Sequence, residues 1–316
     1  MIKKKIIAFI LILNFIFLFS CENSDDFNNS NNSNETTELI EIIQSQRTDY
    51  LQEFDVVYVR NDSNLKMDIY YPTKIKNIDD KYKLIMMIHG GGWIAGDKTQ
   101  PMYMFKPIID KLRENGYMVV MPQYSYALNE NNLYGILGDI NIAFLYLYEN
   151  REKYNIDIDS IGIMGYSAGA HLAMLHSYIP NETKDVMDIK YCLSFAGPTK
   201  FYGDELFEYP EQTLYLIENL FNGIYEEKEQ EYMEGSPYAL FEFYEYLEKI
   251  PLFLAHDEYD NVVPFSQSQV MYDKAVEIGI ECEFLKLSGM YHQIDFSYYQ
   301  NDEYINRILD FIYKYS

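Results

Sequence analysis

A serine between a strand-like and a helix-like segment is the residue of this chain best placed to do chemistry. Ser167 lies in Gly165-Tyr166-Ser167-Ala168-Gly169, which follows an apolar run at 161–164 and precedes a helix-like stretch at 170–178. A sharp turn between a strand and a helix lifts a serine hydroxyl clear of the backbone. Glycines flank such a turn because a Cβ there would collide with neighbouring backbone. The pattern predicts a nucleophilic serine.

A glycine-rich segment upstream offers a second part of the same chemistry. The apolar run at 83–88 ends in His89-Gly90-Gly91-Gly92-Trp93, and glycines expose backbone N–H groups that side chains cannot block. Ester hydrolysis passes through a tetrahedral intermediate whose negatively charged oxygen is stabilised by fixed N–H donors. We expect Gly91, Gly92 and Ala168, the residue after the serine, to supply these donors. A turn that only reverses the chain is the alternative.

The serine needs a base, and the chain contains five histidines: His89, His171, His176, His256 and His292. Where a serine stands at such a turn, the acid and then the histidine follow it along the chain. His89 precedes the serine and is expected to shape the glycine segment. His171 and His176 lie on the helix after the serine, facing away from its hydroxyl, and their spacing of five places them on different helix faces, which argues against a shared metal. His256 precedes the acid candidates, so His292 is the predicted base.

The acid that orients His292 is expected just beyond a strand end. The apolar run at 251–255 is followed by three carboxylates: Asp257, Glu258 and Asp260. We favour Asp260, because a short loop beyond the strand can turn it back toward His292, and Asp257 is the main rival. The acid would hold the imidazole in one tautomer and stabilise the imidazolium formed when His292 takes the serine proton. Ordinary loop polarity is the alternative for Asp260 and His292.

From about residue 55 to its C-terminus, the chain resembles α/β-hydrolase esterases of the carboxylesterase and acetylesterase group, which includes hormone-sensitive-lipase-like enzymes and bacterial acetyl and feruloyl esterases. The resemblance rests on residues 65–72 (LKMDIYYP), HGGGW followed by Gly96-Asp97-Lys98, residues 122–126 (PQYSY), Asp139, residues 161–172 (IGIMGYSAGAHL), Ser236-Pro237, residues 260–264 (DNVVP) and His292. It implies an α/β fold whose mostly parallel central sheet carries helices on both faces, with a small cap inserted at about residues 197–248. Three positions depart from the pattern, where a glycine or an arginine is common: Ala170, Ser125 and Asp257.

The same resemblance implies a serine esterase that works through an acyl-enzyme on short-chain or aryl carboxylic esters, including acetyl or feruloyl groups on polysaccharides. It implies no metal and no organic cofactor. Trp93 and Tyr166 are expected to contact the substrate, although Trp93 can equally prop the glycine segment. An arylformamidase or exopeptidase on the same fold, and a catalytically silent surface-binding lipoprotein, are the alternatives. The sequence does not determine the oligomeric state.

Apolar runs without polar alternation indicate strands that helices cover on both faces. Strands are predicted at 55–60, 65–71, 83–88, 116–121, 161–164, 191–196, 251–255 and 281–287. Helices are predicted at 101–114, 133–153, 170–178, 212–221, 265–278 and 301–315. Cys192 and Cys282 fall in strands that the strand at 251–255 would separate, at roughly 4.8 Å for each step across the sheet. We therefore expect no disulfide between them, and we expect both to be buried.

The N-terminal residues have the features of an export signal. Lys3-Lys4-Lys5 precede an apolar run at 6–19, which is too short to span a bilayer comfortably. Leu18-Phe19-Ser20-Cys21 resembles a bacterial lipobox, in which the cysteine becomes the lipidated first residue. The predicted organisation is a signal peptide at 1–20, a lipidated Cys21 with a disordered polar linker at 21–37, and a catalytic domain at 38–316. Plain secretion is the alternative.

The chain is strongly acidic, with a formal net charge of −24. This charge argues against nucleic-acid binding and against adhesion to anionic lipids through basic patches. The expected partners are a small-molecule or glycan ester and the membrane, the latter through a lipid on Cys21. Acidic residues at 22–26 directly after this cysteine resemble the surface-export signals of outer-membrane lipoproteins. The expected location is the bacterial cell envelope.

Overall fold

The computed structural model describes residues 52–316 except 60–61, 63, 75–79, 129–130, 180–186 and 245–246. The described residues form one eight-stranded sheet with the strand order β1-β2-β4-β3-β5-β6-β7-β8. The strands are β1 (Gln52–Val57), β2 (Lys66–Tyr70), β3 (Tyr82–Ile88), β4 (Tyr117–Pro122), β5 (Ile156–Tyr166), β6 (Ile189–Phe195), β7 (Leu252–Asp257) and β8 (Cys282–Leu287). Each of the eight predicted strands overlaps an observed one, but two of them differ clearly in their bounds. β1 begins three residues before the predicted 55–60 and ends at Val57, and β5 begins five residues before the predicted 161–164.

The sheet is parallel except at one edge. β1 pairs antiparallel with β2, and β2 pairs antiparallel with β4. The pairs from β4 through β3, β5, β6 and β7 to β8 are all parallel. Strands β4 and β7 are buried along their whole length, as expected for parallel strands that helices cover on both faces. The carboxyl ends of the parallel strands therefore lie along one edge of the sheet.

Helices alternate with the strands. They are α1 (Gln100–Met104), α2 (Lys106–Glu114), α3 (Leu133–Glu149), α4 (Arg151–Tyr154), α5 (Ala168–Tyr178), α6 (Glu211–Phe221), α7 (Tyr225–Glu234), α8 (Pro237–Phe243), α9 (Ser266–Glu277) and α10 (Asp302–Tyr315), with a 3-10 helix at Asp204–Glu208. The predicted helices at 170–178, 212–221, 265–278 and 301–315 are confirmed to within two residues at each end.

Two predicted helices are each divided in two. The segment predicted at 101–114 breaks at Phe105, because Pro107 lacks an N–H group and its ring disfavours a continuous helix through the preceding turn. The segment predicted at 133–153 breaks at Asn150, whose side-chain amide donates to the carbonyl of Tyr146 at 2.8 Å. Asparagine often competes with the helix backbone in this way.

Apolar side chains fill both faces of the sheet. On one face, buried residues of α3, α5 and α9 pack against the strands, and on the other face residues of α2 and α10 do so. Every residue of α5 is buried, so the helix that follows the serine turn lies at the centre of the protein. Burial of this extent holds the turn between β5 and α5 in one conformation.

An insertion between β6 and β7 covers the carboxyl edge of the sheet. It contains the 3-10 helix and helices α6, α7 and α8. Phe201 is fully buried in it and makes ring contacts with Trp93, Tyr209 and Phe221. Aromatic residues of the insertion thus join it to the glycine segment.

Cys192 and Cys282 do not form a disulfide with each other, as predicted. Leu252 of β7 lies between them in the sheet, paired with Cys192 on one side and with Cys282 on the other. The expectation that both are buried is wrong for Cys282, which is partly exposed. The reason is that β8 forms the edge of the sheet, where fewer elements cover a side chain. The predicted signal peptide at 1–20, the predicted lipidation site Cys21 and the predicted linker at 21–37 lie outside the described residues. None of the described helices is long and apolar enough to cross a membrane.

Candidate active site

Three side chains from different parts of the chain meet at the carboxyl edge of the sheet. The Oγ of Ser167 lies 2.9 Å from the Nε2 of His292. The Nδ1 of His292 lies 2.7 Å from the Oδ2 of Asp260. Because an ionised carboxylate only accepts hydrogen bonds, Nδ1 carries the proton and Nε2 is left to accept from the serine hydroxyl. The structure thus places the predicted nucleophile, base and acid in hydrogen-bond contact.

The turn that carries Ser167 is strained and tightly packed. Ser167 has φ 54° and ψ −122°, in a region that residues with a Cβ seldom occupy. A Cβ on Gly165 would lie 2.2 Å from the carbonyl oxygen of Gly169, and one on Gly169 would lie 2.2 Å from that of Ile88. The N–H of Ser167 donates to the carbonyl of Phe195 at 2.8 Å. Both glycines are therefore required by close backbone contacts, and neighbouring strands hold the serine in place.

The loop that carries His292 is tied to the serine turn. The hydroxyl of Tyr166 donates to the backbone carbonyl of His292 at 2.7 Å, and burial, together with the charge of Asp260, raises the pKa of this tyrosine. The N–H of Met290 donates to the Oδ2 of Asp257 at 2.6 Å, while the Oδ1 of Asp257 accepts from the N–H of Tyr259. Asp257, the rival acid, therefore braces the His292 loop and leaves the imidazole to Asp260.

Asp260 is held by four donors. Its Oδ1 accepts from the N–H groups of Val262 and Val263 at 2.8 and 2.9 Å. Its Oδ2 accepts from His292 and, at 3.1 Å, from the Nε2 of His256. Burial alone would raise the pKa of Asp260, but the hydrogen bonds from His256 and His292 outweigh it and hold this pKa well below its usual range. The carboxylate is therefore ionised at neutral pH.

His256 is a member of the site that the sequence reasoning did not assign. Its Nε2 faces two acceptors, the Oδ2 of Asp260 at 3.1 Å and the carbonyl of Val263 at 3.0 Å, so this nitrogen carries a proton. Its Nδ1 lies 2.7 Å from the Oγ of Ser268 in α9. Its side chain is fully buried. The spacing His256-x-x-x-Asp260 at the end of a strand was a signal that could have identified it.

The glycine segment lies beside the serine. Gly91 and Gly92 have φ of 122° and 59°, and a Cβ on Gly91 would lie 2.0 Å from the carbonyl oxygen of Ala95. Within the described part of the chain, no backbone acceptor pairs with the N–H groups of Gly91, Gly92 or Ala168 outside the regular elements. All three residues line the same cavity as Ser167. This arrangement provides free backbone donors next to the serine.

Trp93 both props the glycine segment and forms part of the cavity wall. It is only 1% exposed and has φ 62°. Its indole N–H donates to the Nδ1 of His171 at 3.2 Å, and the Nε2 of His171 lies 2.7 Å from the carbonyl of Gly235. His171 thus accepts from Trp93 and donates to Gly235 at the end of α7. Burial lowers the pKa of His171 to about 4, which keeps it neutral.

His89 shapes the start of the glycine segment. Its Nδ1 lies 2.7 Å from the carbonyl of Gly90, and its ring stacks on Tyr124 at 4.1 Å between centroids. Burial lowers the pKa of His89 to about 4. Among the described residues, no group of three or more His, Cys, Asp or Glu side chains is arranged to hold a metal ion.

Two cavities adjoin His292. The first, called the serine pocket here, has a volume of about 250 Å³ and is lined by Gly91, Gly92, Trp93, Gln100, Tyr166, Ser167, Ala168, Pro198, Thr213, Leu216, Val262, Val263 and His292. The second, called the tyrosine groove, has a volume of about 880 Å³ and is lined by Gln100, Met104, Tyr166, Asn261, Val262, Met290, Tyr291, His292, Gln293, Asp295, Tyr298 and Tyr299. Tyr166, expected to contact substrate, lies between them.

Several lining residues were not identified from the sequence. Gln100 borders both cavities, and its Oε1 accepts from the N–H of Gly90 at 2.9 Å. Thr213 and Leu216 reach the serine pocket from α6 of the insertion. Nothing in the composition of the insertion distinguishes these residues from their neighbours, because their role depends on how α6 packs over the sheet.

A family model described as BD-FAE matches residues 67–275. The chain belongs to the BD-FAE family. In this BD-FAE protein the matched stretch runs from β2 to α9, so it includes the glycine segment, Ser167 and Asp260 and ends before His292.

Comparison with individual proteins agrees with this assignment. The probable carboxylic ester hydrolase LipM of Mycobacterium tuberculosis is 22% identical over 238 residues, which cover 73% of this chain and 53% of LipM. A truncated form of a carbohydrate esterase from gut microbiota superposes with a TM-score of 0.69 at 20% identity, over 84% of this chain and 96% of that chain. Esterase B from Lactobacillus rhamnosis superposes with a TM-score of 0.69 at 19% identity, over 89% and 92%.

These likenesses show that the BD-FAE protein has the α/β-hydrolase fold, so the predicted fold class is confirmed. The chain spans about half of the length, or less, of the curated relatives it matches.

Proposed function

We propose that the protein is a serine esterase that hydrolyses carboxylic esters through an acyl-enzyme. The observation that carries this proposal is the continuous contact from the Ser167 hydroxyl through His292 to Asp260, with distances of 2.9 and 2.7 Å. Membership of the BD-FAE family and the esterases among the related proteins support it. The proposed site consists of Ser167, His292 and Asp260, with Gly91, Gly92 and Ala168 as oxyanion donors.

The geometry supports a two-step reaction. The Nε2 of His292 takes the proton of Ser167 as the Oγ attacks the ester carbonyl, and the tetrahedral oxyanion is stabilised by the N–H groups beside the serine. The C–O bond to the alcohol then breaks, and the alcohol leaves with the proton from His292. Water, activated by the same imidazole, attacks the acyl-enzyme and releases the carboxylic acid. Asp260 stays ionised and stabilises the imidazolium in both steps.

The proposed substrates are short-chain or aryl esters, including acetyl or feruloyl groups on polysaccharides. Similarity to a carbohydrate esterase from gut microbiota supports a sugar ester, and the serine pocket supports a small acyl group. We further propose that the chain is exported and held in the bacterial cell envelope by a lipid on Cys21. The basic and apolar residues before this cysteine support that location.

Substitution of the nucleophile tests the proposed chemistry. We expect the wild-type protein to hydrolyse p-nitrophenyl acetate and to be labelled by a fluorophosphonate at Ser167. We expect Ser167→Ala to lower kcat by about 10³-fold or more, because the nucleophile and its base act as a unit. Ser288→Ala, which removes an exposed serine outside both cavities, is the matched control and should retain activity. A wild-type protein that neither reacts with the probe nor turns over the ester would favour a catalytically silent binding protein.

A further inference from the structure

We propose that Lys98 and Asp68 are positioning residues for ester hydrolysis: their ion pair holds the glycine segment so that its N–H groups face the tetrahedral oxyanion. The proposal rests on the proposed esterase activity and assigns a role to two side chains that touch neither the ester nor the catalytic residues. Neither Lys98 nor Asp68 lines the serine pocket or the tyrosine groove, so both would act through the segment that they hold.

The ion pair joins the residues after the glycine segment to the sheet. The Nζ of Lys98 lies 2.8 Å from the Oδ1 of Asp68 in β2, and the two side chains are 11% and 1% exposed. The same ammonium lies 3.1 Å from the Oδ1 of Asp55 in β1. Burial alone would lower the pKa of Lys98, but the hydrogen bonds to Asp68 and Asp55 outweigh it and raise this pKa. Because both side chains of the pair with Asp68 are largely buried, salt screens that pair less than it screens an exposed one.

Asp68 is itself fixed on the sheet. Its backbone pairs with Met121 of β4, and its Oδ1 also accepts from the N–H of Asp55 at 3.0 Å. Asp55 lies at an irregularity in the pairing of β1 and has φ 56°. Among the described residues, the Oδ2 of Asp68 has no hydrogen-bond partner. The Asp68 carboxylate therefore depends on Lys98, because a buried charge that loses its partner is strongly destabilising.

Backbone contacts connect Lys98 to the oxyanion donors. Gly96, two residues before Lys98, has φ 105° and packs on the start of the glycine segment, since a Cβ on it would lie 2.2 Å from the carbonyl oxygen of Gly90. The carbonyl of Gly91 accepts from the N–H of Ala95 at 3.0 Å, which closes the turn that carries the donors. A displacement of Lys98 would therefore move this turn relative to Ser167.

Neutral hydrogen bonds also hold this stretch, but more weakly. The hydroxyl of Tyr126 donates to the carbonyl of Gly96 at 2.6 Å, and the N–H of Lys98 donates to the Oε1 of Gln123 at 3.1 Å. Hydrogen bonds between ionised groups are roughly twice as strong as those between neutral groups, and the ammonium of Lys98 contacts two carboxylates. We therefore expect the ion pair to contribute most to the position of the segment.

Substitution of Lys98 tests this role by kinetics. Oxyanion donors act mainly on the transition state, so we expect Lys98→Met to lower kcat for p-nitrophenyl acetate about 10- to 100-fold while KM changes less than about threefold. Lys98→Arg, which retains a cation for Asp68, should keep kcat within about threefold of wild type. Lys106→Met, which removes an exposed ion pair with Asp110 on α2, is the matched control and should leave both constants unchanged. An unchanged kcat in Lys98→Met overturns the proposal.

A double variant separates positioning from stability. Lys98→Met alone leaves the Asp68 carboxylate buried without its cation, which lowers the folded fraction. In the double variant with Asp68→Asn and Lys98→Met this charge is gone, and the amide oxygen can still accept from the N–H of Asp55. We expect its melting temperature to be close to that of wild type while kcat stays about 10- to 100-fold low, because no ion pair holds the segment. A kcat that recovers together with the melting temperature would show a purely structural role and overturn the proposal.

An inhibitor that forms an oxyanion probes the donors directly. The Oγ of Ser167 bonds to the carbonyl carbon of 2,2,2-trifluoroacetophenone, the carbonyl oxygen takes the electron pair of the broken π bond, and His292 takes the serine proton. In the double variant we expect the inhibition constant to rise by about the factor by which kcat falls. The inhibition constant of acetophenone, which stays a ketone, should not change. Equal rises for both compounds would indicate an altered pocket and overturn the proposal.

Amide hydrogen exchange separates this proposal from the proposed function. The N–H groups of Gly90, Ala95 and Lys98 are hydrogen-bonded in the folded protein, so their exchange reports how firmly the segment is held. Peptides that cover residues 89–98 should exchange at least about tenfold faster in the double variant, whereas peptides of β5 should not change. A wild-type protein that hydrolyses no ester overturns the proposed function, and exchange still decides whether the ion pair holds the segment. Equal exchange in both proteins overturns the proposal even where wild type is an esterase.

Discussion

At the scale of single residues, the site depends on how completely Asp260 is surrounded by donors. Two backbone N–H groups and two imidazoles point at one carboxylate. Hydrogen bonds to an ionised group are worth about 1.5–3 kcal/mol each, and here they also fix the direction in which Asp260 faces His292. His256 contacts Asp260 but lines neither cavity, so we expect it to act through Asp260 as a positioning residue.

Replacement of His256 tests this positioning role. We expect His256→Leu to lower kcat about 10- to 100-fold while KM changes less than twofold, because the loss of one charge-assisted hydrogen bond misplaces Asp260 without altering the cavities. His256→Gln, which retains an N–H donor, should recover part of the loss. The measurement is steady-state kinetics on p-nitrophenyl acetate. If His256→Leu and His256→Gln lost the same share of activity, and this share equalled the decrease in the folded fraction of each variant, His256 would stabilise the fold without positioning Asp260.

At the scale of elements, His171 connects three segments that the chain does not place together. It lies on α5, accepts from Trp93 of the glycine segment and donates to Gly235 of the insertion. These contacts require a neutral ring, because a proton on Nδ1 would face the N–H of Trp93 with no acceptor between them. Burial, which lowers the pKa of His171 to about 4, maintains that state.

The depressed pKa of His171 makes folding stability depend on pH. Above about pH 6.5 the ring is neutral in both states, whereas between about pH 6.5 and 4 the unfolded chain binds a proton that the folded protein excludes. The free energy of unfolding therefore falls as the pH falls through this range, by up to about 3 kcal/mol from this group.

Urea unfolding at several pH values measures this effect. We expect His171→Gln to show a smaller loss of stability than wild type between about pH 6.5 and 4. Asp139, whose pKa burial raises, acts in the opposite direction in both proteins and so does not affect their difference. If the free energy of unfolding changed with pH in the same way for wild type and for His171→Gln, His171 would not contribute to the pH dependence of stability.

At the scale of the whole molecule, the net negative charge and the proposed lipid on Cys21 together determine how the protein would attach to a membrane. A net charge of −24 gives no electrostatic attraction to anionic lipids, so attachment to a membrane would depend on the acyl chains alone. Acyl chains contribute about 0.8 kcal/mol for each buried CH₂ group. Cys21 lies outside the described residues, and its role is a prediction from the sequence.

Fractionation of cells tests this prediction. In a bacterium with lipoprotein-processing enzymes, we expect the wild-type chain to incorporate a fatty-acid label and to sediment with the membranes. Cys21→Ser should lose the label and move to the soluble exported fraction, while its hydrolysis of p-nitrophenyl acetate remains intact. A wild-type chain released without the label would favour plain secretion.

The sequence alone determined the parts of this protein that depend on local chemistry. The apolar runs predicted the inner strands, such as the fully buried β4 and β7, because a strand covered on both faces must be apolar along its length. The bounds of β1, an exposed edge strand, were predicted less well. The pattern around Ser167 and Gly91 predicted the turns, because the backbone there approaches other backbone too closely for a Cβ. The order of serine, acid and histidine predicted His292 as the base, and the short loop beyond the strand at 251–255 favoured Asp260 as the acid.

Only the tertiary structure decided the features that depend on distant segments meeting. Asp257 and Asp260 are three residues apart and chemically alike, and only the path of the loop directs one to Met290 and the other to His292. His256 contacts Asp260 because the loop after β7 folds back toward the end of that strand. Leu216 lines the serine pocket because α6 packs over the carboxyl edge of the sheet. Such contacts are set by three-dimensional packing, which no periodicity along the chain records.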